Sequence, residues 1–238
     1  DFAWQLINLD NLNIAENAEI ADLVEAYNNK PEFYEVIGSS AIDHSRDETA
    51  CFYTDALRQV SGSDFIIQNR GGVRANLDQG EVTPFDIYTI DPFGNGFETY
   101  NFTVGEMENV LESIPTSYSY STHYNLIFQG DQIEIADANG NLLDDNTAVT
   151  LSINDYLTNV FSSLFDEPSF IYELTTADYL IEFFRSHASG PVDYSVLPKL
   201  INPGSGWVYN ANNQPYSAAG PADDIDPDSV APELGVEL

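Results

Sequence analysis

From Asn13 to Asn29 apolar residues return mostly at steps of three and four, at Ile14, Ala18, Ala21, Leu23, Val24 and Ala26. That spacing predicts an amphipathic helix, which Asn28-Asn29-Lys30-Pro31 ends. Phe33 to Ile37 reads as a short strand, and Glu48 to Val60 as a second helix with Ala50, Phe52, Ala56 and Leu57 forming a buried stripe. Asp64 to Gln68 carries the run Phe65-Ile66-Ile67, the pattern of a strand buried on both faces, and it feeds the glycine turn Gly71-Gly72. Thr83-Pro84-Phe85-Asp86 starts a helical turn, Phe97 to Val104 alternates as a strand, and Gly105 to Ile114 has helical spacing. Tyr124 to Phe128 and Gln132 to Ala136 read as strands, followed by a hairpin-type turn at Asp137-Ala138-Asn139-Gly140-Asn141. Val149 to Ile153 is a further strand, and Thr175 to Ser186 resumes the helical period. After Pro191 the chain is rich in Pro, Gly, Asn and Asp, and from Pro203 it reads as an irregular tail. The mixture predicts an α+β fold, a mixed-sheet domain flanked by helices. Its expected division is 1–30 for the leading helix and its approach, 31–202 for the domain, and 203–238 for the acidic tail.

At 238 residues and 43 % hydrophobic content the chain can bury a sizeable core. A single cysteine, Cys51, excludes an intramolecular disulfide and a cysteine-based zinc module. There is no apolar run long enough to span a bilayer, and Asp1-Phe2-Ala3-Trp4 begins with neither Met nor a basic leader, so the expectation is a soluble chain with a trimmed amino terminus. Acidic residues outnumber basic ones 39 to 7, for a net charge of −32, yet charged residues make up only 19 % of the chain. The imbalance therefore comes mainly from missing lysines, of which only Lys30 and Lys199 occur. Such a field opposes binding to nucleic-acid polymers and to anionic membranes. It leaves room for a small anion or ring held by local arginines, because short-range contacts outweigh a screened long-range field.

Searches for generic catalytic patterns yield little. His44, His123 and His187 are scattered, with no HExxH motif, and Asp43-His44-Ser45 matches a triad by composition alone. Asp144-Asp145 and Asp223-Asp224 read as solvated loop pairs. One segment differs. In Gln68-Asn69-Arg70-Gly71-Gly72-Val73-Arg74 the glycines permit a tight turn, while Asn69 supplies an amide and Arg74 a fork of donors, the makings of a polar recognition loop.

Four motifs follow one another in order: Thr54-Asp55-Ala56-Leu57-Arg58, Asn69-Arg70-Gly71-Gly72-Val73-Arg74-Ala75, Gly80-Glu81-Val82-Thr83 and Asp91-Pro92-Phe93-Gly94-Asn95. Their order and spacing resemble the carboxy-terminal domain of the 5′-nucleotidase and UDP-sugar hydrolase family. Val36-Ile37-Gly38-Ser39, Leu111-Glu112 and Ile153-Asn154-Asp155-Tyr156-Leu157 extend the likeness over roughly residues 14 to 190. The resemblance implies that Asn13 to Asn29 is an interdomain linker helix and that the body binds a nucleotide or nucleoside. It assigns base contact to Asn69, a hold near ribose and phosphate to Arg74, and one face of a base sandwich to Phe93, with Gly71 and Gly72 shaping the turn. Arg46 is the nearest match to a further family arginine.

By the same resemblance this chain holds no catalytic residue, metal ion or cofactor of its own. Two divalent metals and an Asp-His pair belong to an amino-terminal metallophosphoesterase domain, the partner within the same protein. A periplasmic or secreted monomer is expected. Three departures stand out. The family's GGDG turn is replaced by Thr158-Asn159-Val160-Phe161-Ser162-Ser163-Leu164-Phe165, which leaves Phe161 or Phe165 as the expected second stacking ring. Ala50-Cys51 stands in place of Gly-Asn. Arg70 replaces a glycine, where it either engages an anion, pairs with Asp78 or points into solvent. These departures keep open an alternative, a non-catalytic structural or interaction module.

Overall fold

The computed structural model describes residues 15–114, 117–129, 132–194, 200–202, 207–209 and 215–216. It divides into two units, one ending at Glu35 and one beginning at Val36. In the first, helix α1 (Ala18–Asn28) is capped by Asn17, whose side chain accepts from the backbone of Glu19 and Ile20, and none of its residues is buried. Pro31–Phe33 forms a single 3-10 turn rather than the start of the expected strand. Proline at the first position of that turn has the φ that a helical turn needs and no N–H to give to a sheet. Strand pairing begins only at Gly38.

In chain order the second unit contains β1 (Gly38–Ser40), α2 (Arg46–Ser61), β2 (Phe65–Asn69), β3 (Gly80–Val82), α3 (Pro84–Ile90), β4 (Phe97–Thr103), α4 (Val104–Ser113) and β5 (Tyr118–Thr122). It continues with β6 (Asn125–Gln129), β7 (Gln132–Ala136), β8 (Ala148–Asn154), α5 (Asp155–Val160), β9 (Phe170–Ile171), α6 (Thr176–Ser186), β10 (Leu200–Asn202), β11 (Trp207–Tyr209) and β12 (Pro215–Tyr216). The main sheet has the order β12-β11-β10-β5-β2-β8-β4-β9, with β1-β3 and β6-β7 as separate two-stranded pairs. β2 and β8 run parallel; β4 and β5 lie antiparallel beside them. This is the mixed sheet flanked by helices that the sequence predicts. β11 and β12 lie where an irregular tail was expected, and the rest of the segment beyond 202 falls outside the described residues.

The apolar alternation explains the layers. Ile66 of β2 joins a core with α2, α3 and α6, among them Phe52, Leu57, Ile87, Leu180 and Phe184. Its neighbours Phe65 and Ile67 point the other way, into a core with Val104, Met107, Leu111, Ile133, Ile135 and Leu151. β2 is therefore covered on both faces, as a strand with a parallel neighbour needs to be. α2 is set by a full capping box between Ser45 and Glu48 and ends at Gly62, whose φ of 70° suits the left-handed cap.

β5 is absent from the sequence expectations because Tyr-Ser-Tyr-Ser-Thr offers apolar rings on one face and only small hydroxyls on the other. All five residues are buried. The small serines let α2 lie close, and Ser121 Oγ donates to Asp55 at 2.9 Å while accepting from Arg58 Nε at 2.8 Å. Tyr194 Oη also donates to Asp55, at 2.7 Å. His44 is structural too: its Nε2 accepts the Tyr194 N–H at 2.9 Å, which leaves the proton on Nδ1, facing Leu77 O at 3.2 Å. Asp43 and Ser45 face elsewhere, toward the Gln79 N–H and the first turn of α2, so the three adjacent residues form no triad.

Burial acts to raise the Asp55 carboxyl, but the hydrogen bonds from Tyr194 and Ser121 and the charge of Arg58 outweigh it and hold the group below its ordinary value of 3.8. Its stabilising contribution is therefore complete above the ordinary carboxylate range and is lost as pH falls from 3.8 toward the lowered folded-state value. Tyr194→Phe should destabilise the chain at about pH 7, and the difference from wild type should shrink at about pH 3. Denaturant unfolding at both pH values checks this; equal differences would refute it.

Candidate functional site

The carboxyl ends of the parallel strands β2 and β8 meet at one end of the sheet. Ile67 lies opposite Ile153, so Asn69 and Asn154 leave the two strands together. β4 runs the other way, and its first residue Phe97 pairs with Asn154, which brings the 91–96 loop to the same end. In open α/β sheets the crevice outside the carboxyl ends of parallel strands is where ligands settle.

Backbone ties close this end into a ring. After Asn69 the chain makes one 3-10 turn, Arg70–Gly72, and Val73 N–H returns to Arg70 O at 3.2 Å. Arg74 N–H donates to Ile90 O at 2.8 Å, placing Arg74 beside the start of the 91–96 loop. Thr176 N–H donates to Asn95 O at 3.0 Å and Asp155 N–H to Gly96 O at 3.1 Å, which returns the path to Asn154. Gly96 and Asp155 are pressed together: a Cβ at 96 would lie 2.9 Å from Asp155 Oδ2.

The turn is held from beneath by the first residues of α2. Arg46 Nε donates to Val73 O at 2.6 Å and Nη2 to Arg70 O at 3.3 Å. Arg70 Nε pairs with Asp47 Oδ1 at 2.8 Å, and Nη2 with Oδ2 at 3.2 Å. Arg70 is thus paired with Asp47; Asp47 lies in the first turn because α2 begins at Arg46, two residues before the expected start at Glu48. Gly72 is buried, and a Cβ there would run into Gln68 Nε2 and lie 3.0 Å from Asn69 Oδ1. Gly71 is open, with Asn69 Nδ2 3.6 Å from where its Cβ would be.

The loop bearing Phe93 hangs from one buried carboxylate. Asp91 is 1 % exposed, and its Oδ2 receives the hydroxyls of Tyr53 at 2.7 Å and Thr176 at 2.6 Å, while Oδ1 faces Phe93 N–H at 3.4 Å. Burial, and then the charge of Asp91, drives the Tyr53 phenol well above its ordinary value, so Tyr53 remains a donor. Phe93 itself is 52 % exposed, and Tyr156, two residues beyond Asn154, is 50 % exposed. Phe165 is placed elsewhere: its ring packs against Tyr100 at 5.2 Å and Phe102 at 6.2 Å, and Phe161 also joins that second core.

The structure therefore gathers Asn69, Gly71, Gly72, Arg74 and Phe93 around one sheet end, sets Arg46 behind them and seats Phe165 in the packing. Sequence reasoning missed Asp91, Gln68 and Tyr156 and gave Asn154 no role. Two signals were available: Asn154 precedes a helical segment in the manner of an N-cap, and Gln68 is a polar residue directly following the apolar run Phe65-Ile66-Ile67 of a strand buried on both faces. Among the described residues no group of three His, Cys, Asp or Glu side chains is gathered so as to hold a metal ion, and no helix is long and apolar enough to cross a membrane.

Comparison with known proteins decides the family. Residues 32–165, more than half of the chain, match the model of the 5′-nucleotidase, C-terminal domain. The chain belongs to the 5′-nucleotidase C-terminal domain family. Among its relatives, it is 23 % identical over 169 residues to endonuclease YhcR of Bacillus subtilis, covering 64 % of this chain and 14 % of that protein. It is 29 % identical over 156 residues to the NAD 5′-nucleotidase of Haemophilus influenzae, covering 52 % of this chain and 26 % of that protein. The chain thus spans about a quarter or less of these curated relatives. The 5′-nucleotidase precursor of Thermus thermophilus shares the fold, with a TM-score of 0.57 at 18 % identity, covering 74 % of this chain and 42 % of that one.

The Asp91 arrangement makes a testable demand of this 5′-nucleotidase C-terminal domain. A hydrogen bond to a buried charge is worth about 1.5–3 kcal/mol. Tyr53→Phe and Thr176→Val should each lower the unfolding free energy by about that amount. Denaturant titration reads the loss directly, and a change within error for both would show that Asp91 does not carry the loop.

Proposed function

We propose that this domain is the substrate-binding part of a 5′-nucleotidase-type phosphoester hydrolase and holds the nucleoside portion of a nucleotide or sugar nucleotide. The observation that supports this reading is the meeting of Asn69, Arg74 and Phe93 at the carboxyl ends of β2 and β8. Asn69 offers an amide to a base edge, and Arg74 a charge-assisted fork for ribose and phosphate oxygens. Phe93, half exposed, offers a flat face on which a base stacks, worth about 1–3 kcal/mol. Gly71 and Gly72 let the backbone come close to the ligand, while Arg46 and the Arg70–Asp47 pair hold the turn in shape. A second ring is at hand in Tyr156, already exposed at this sheet end, whereas Phe165 would have to leave Tyr100 and Phe102 to serve.

Bond cleavage in this reading belongs to an amino-terminal metallophosphoesterase domain outside this chain, where two divalent metals supply an activated hydroxide. What this domain contributes is orientation of the substrate. α1 would be the interdomain helix, and the protein would work in the periplasm or outside the cell, its binding domain a monomer. The packing of Phe161 and Phe165 into the second core favours one other reading, a module that keeps the fold without binding nucleotides.

Titration of the chain with adenosine, uridine, AMP and UMP, followed by NMR, separates the two. Shifts centred on Asn69, Arg74 and Phe93 are expected at millimolar ligand, and Phe93→Ala and Arg74→Ala should each weaken binding at least about fivefold. Silence toward all four ligands would favour the module.

A further inference from the structure

Among the described residues, Gln68 Nε2 is a buried side-chain nitrogen with no hydrogen-bond partner, and Gln68 as a whole is 1 % exposed. Buried polar groups are nearly always paired, so an orphaned donor directly behind a binding turn calls for a reason. Its orientation is not arbitrary. Asn154 Oδ1 accepts the Leu157 N–H at 2.8 Å as the cap of α5, which turns Nδ2 toward β2. That nitrogen donates to Gln68 Oε1 at 2.6 Å and reaches Asn69 Oδ1 at 3.4 Å. Gln68 must therefore keep its oxygen toward Asn154 and its nitrogen under Gly72. Asn69 in turn keeps its oxygen toward Asn154, while its Nδ2 lies against the turn, 3.2 Å from where a Cβ of Gly72 would be and 3.6 Å from that of the exposed Gly71, with no hydrogen-bond partner among the described residues.

We propose that Asn154 and Gln68 are positioning residues that hold the Asn69 amide in one of its two flips, so that the site presents a donor and selects bases offering an acceptor there, an unprotonated ring nitrogen or a carbonyl oxygen. The inference rests on the reading of Asn69 as a base contact. It also accounts for the orphaned nitrogen: a leucine at 68 would suit the burial but would remove the 2.6 Å acceptor of Asn154 Nδ2, leaving that nitrogen only the longer contact to Asn69 Oδ1. The arrangement can be inverted by one isosteric change. Asn154→Asp keeps an oxygen for the Leu157 N–H and replaces the Nδ2 donor by an acceptor. Gln68 then turns Nε2 toward the new carboxylate and gains the bond it lacks, while Asn69 turns its nitrogen inward and shows its oxygen to the ligand.

The test uses the whole chain with adenosine and its deaza analogues, each lacking one ring nitrogen, as probes. In the wild type one analogue should bind at least about tenfold more weakly than adenosine. In Asn154→Asp that ratio should fall to near one with the melting temperature no lower. Gln68→Glu, kept protonated by burial, keeps an acceptor for Asn154 Nδ2 and should keep the ratio. A ratio that persists in Asn154→Asp, or that is absent from a wild type that binds adenosine, overturns the proposal.

A ligand-free measurement keeps the two readings apart. The side-chain amide resonances of Asn69 should show one ordered state in the wild type and should shift or broaden in Asn154→Asp and Gln68→Leu. If the wild type binds no adenosine but these resonances respond, the nucleoside reading fails and the positioning stands. If adenosine binds and they do not respond, the positioning fails and the nucleoside reading stands.

Discussion

The parallel register of β2 on β8 is the constraint from which the rest of the site follows. Ile67 opposite Ile153 puts Asn69 and Asn154 at one sheet end, and Phe97 opposite Asn154 brings in the loop that carries Phe93. A slip of one residue would exchange the faces of the strand, sending Ile66 into the core that now holds Phe65 and Ile67 and turning Gln68 away from Asn154. Burial on both faces enforces the register, because either error strands large apolar groups against the wrong layer. The same register that packs two cores therefore sets the geometry of this sheet end, and the packing and the proposed site share β2.

Polar groups are placed around that frame under a severe shortage of cations. Four of the seven basic residues, Arg46, Arg58, Arg70 and Arg74, fall between α2 and the turn after β2. Arg58 is shared between Asp55 and Ser121, Arg70 faces Asp47, and Arg46 spans two carbonyls of the turn. In a chain of net charge −32 these contacts commit two of the four, Arg58 and Arg70, to neighbouring carboxylates. Asp91 shows the converse economy: with no cation bonded to it among the described residues, it is held by two hydroxyls and still anchors a loop.

Elements whose pattern repeats were legible in the sequence. α2, β2, β4, α4, β6, β7, β8 and α6 fall within a few residues of expectation, because each carries an apolar period or a cap that local physics reads unaided. β5 was illegible because its serines are buried for reasons lying in another element, the close approach of α2 and the Asp55–Arg58 pair. The displaced β1 is a similar case: Phe33 and Val36 look like strand, but Pro31 imposes a turn first. At the candidate site the ordered motifs singled out Asn69, Arg74 and Phe93, which the structure brings to one sheet end, whereas the partners of Asp91, Gln68 and Asn154 lie 38 to 86 positions away. Phe165 illustrates the limit from the other side, since an aromatic in the expected stretch was claimed by Tyr100 and Phe102.

This difference in legibility follows from how the two halves of the site are supported. The hydrogen-bonding half, Asn69 with its turn, rests on buried strand ends, a helix cap and arginine-held carbonyls, so altering any one member disturbs several others. The aromatic half rests on loops: Phe93 stands on the Asp91 tether, and the segment after α5 has lost the glycine turn typical of the family and turned its rings inward. Under the proposed function, a site built this way could change the ring that covers a base while keeping the edge contact, because the first needs only a loop and the second needs the register of the sheet. Tyr156 occupies the position where that exchange is simplest, exposed on the first turn of α5 and joined through Asn154 to the amides that would read the base edge.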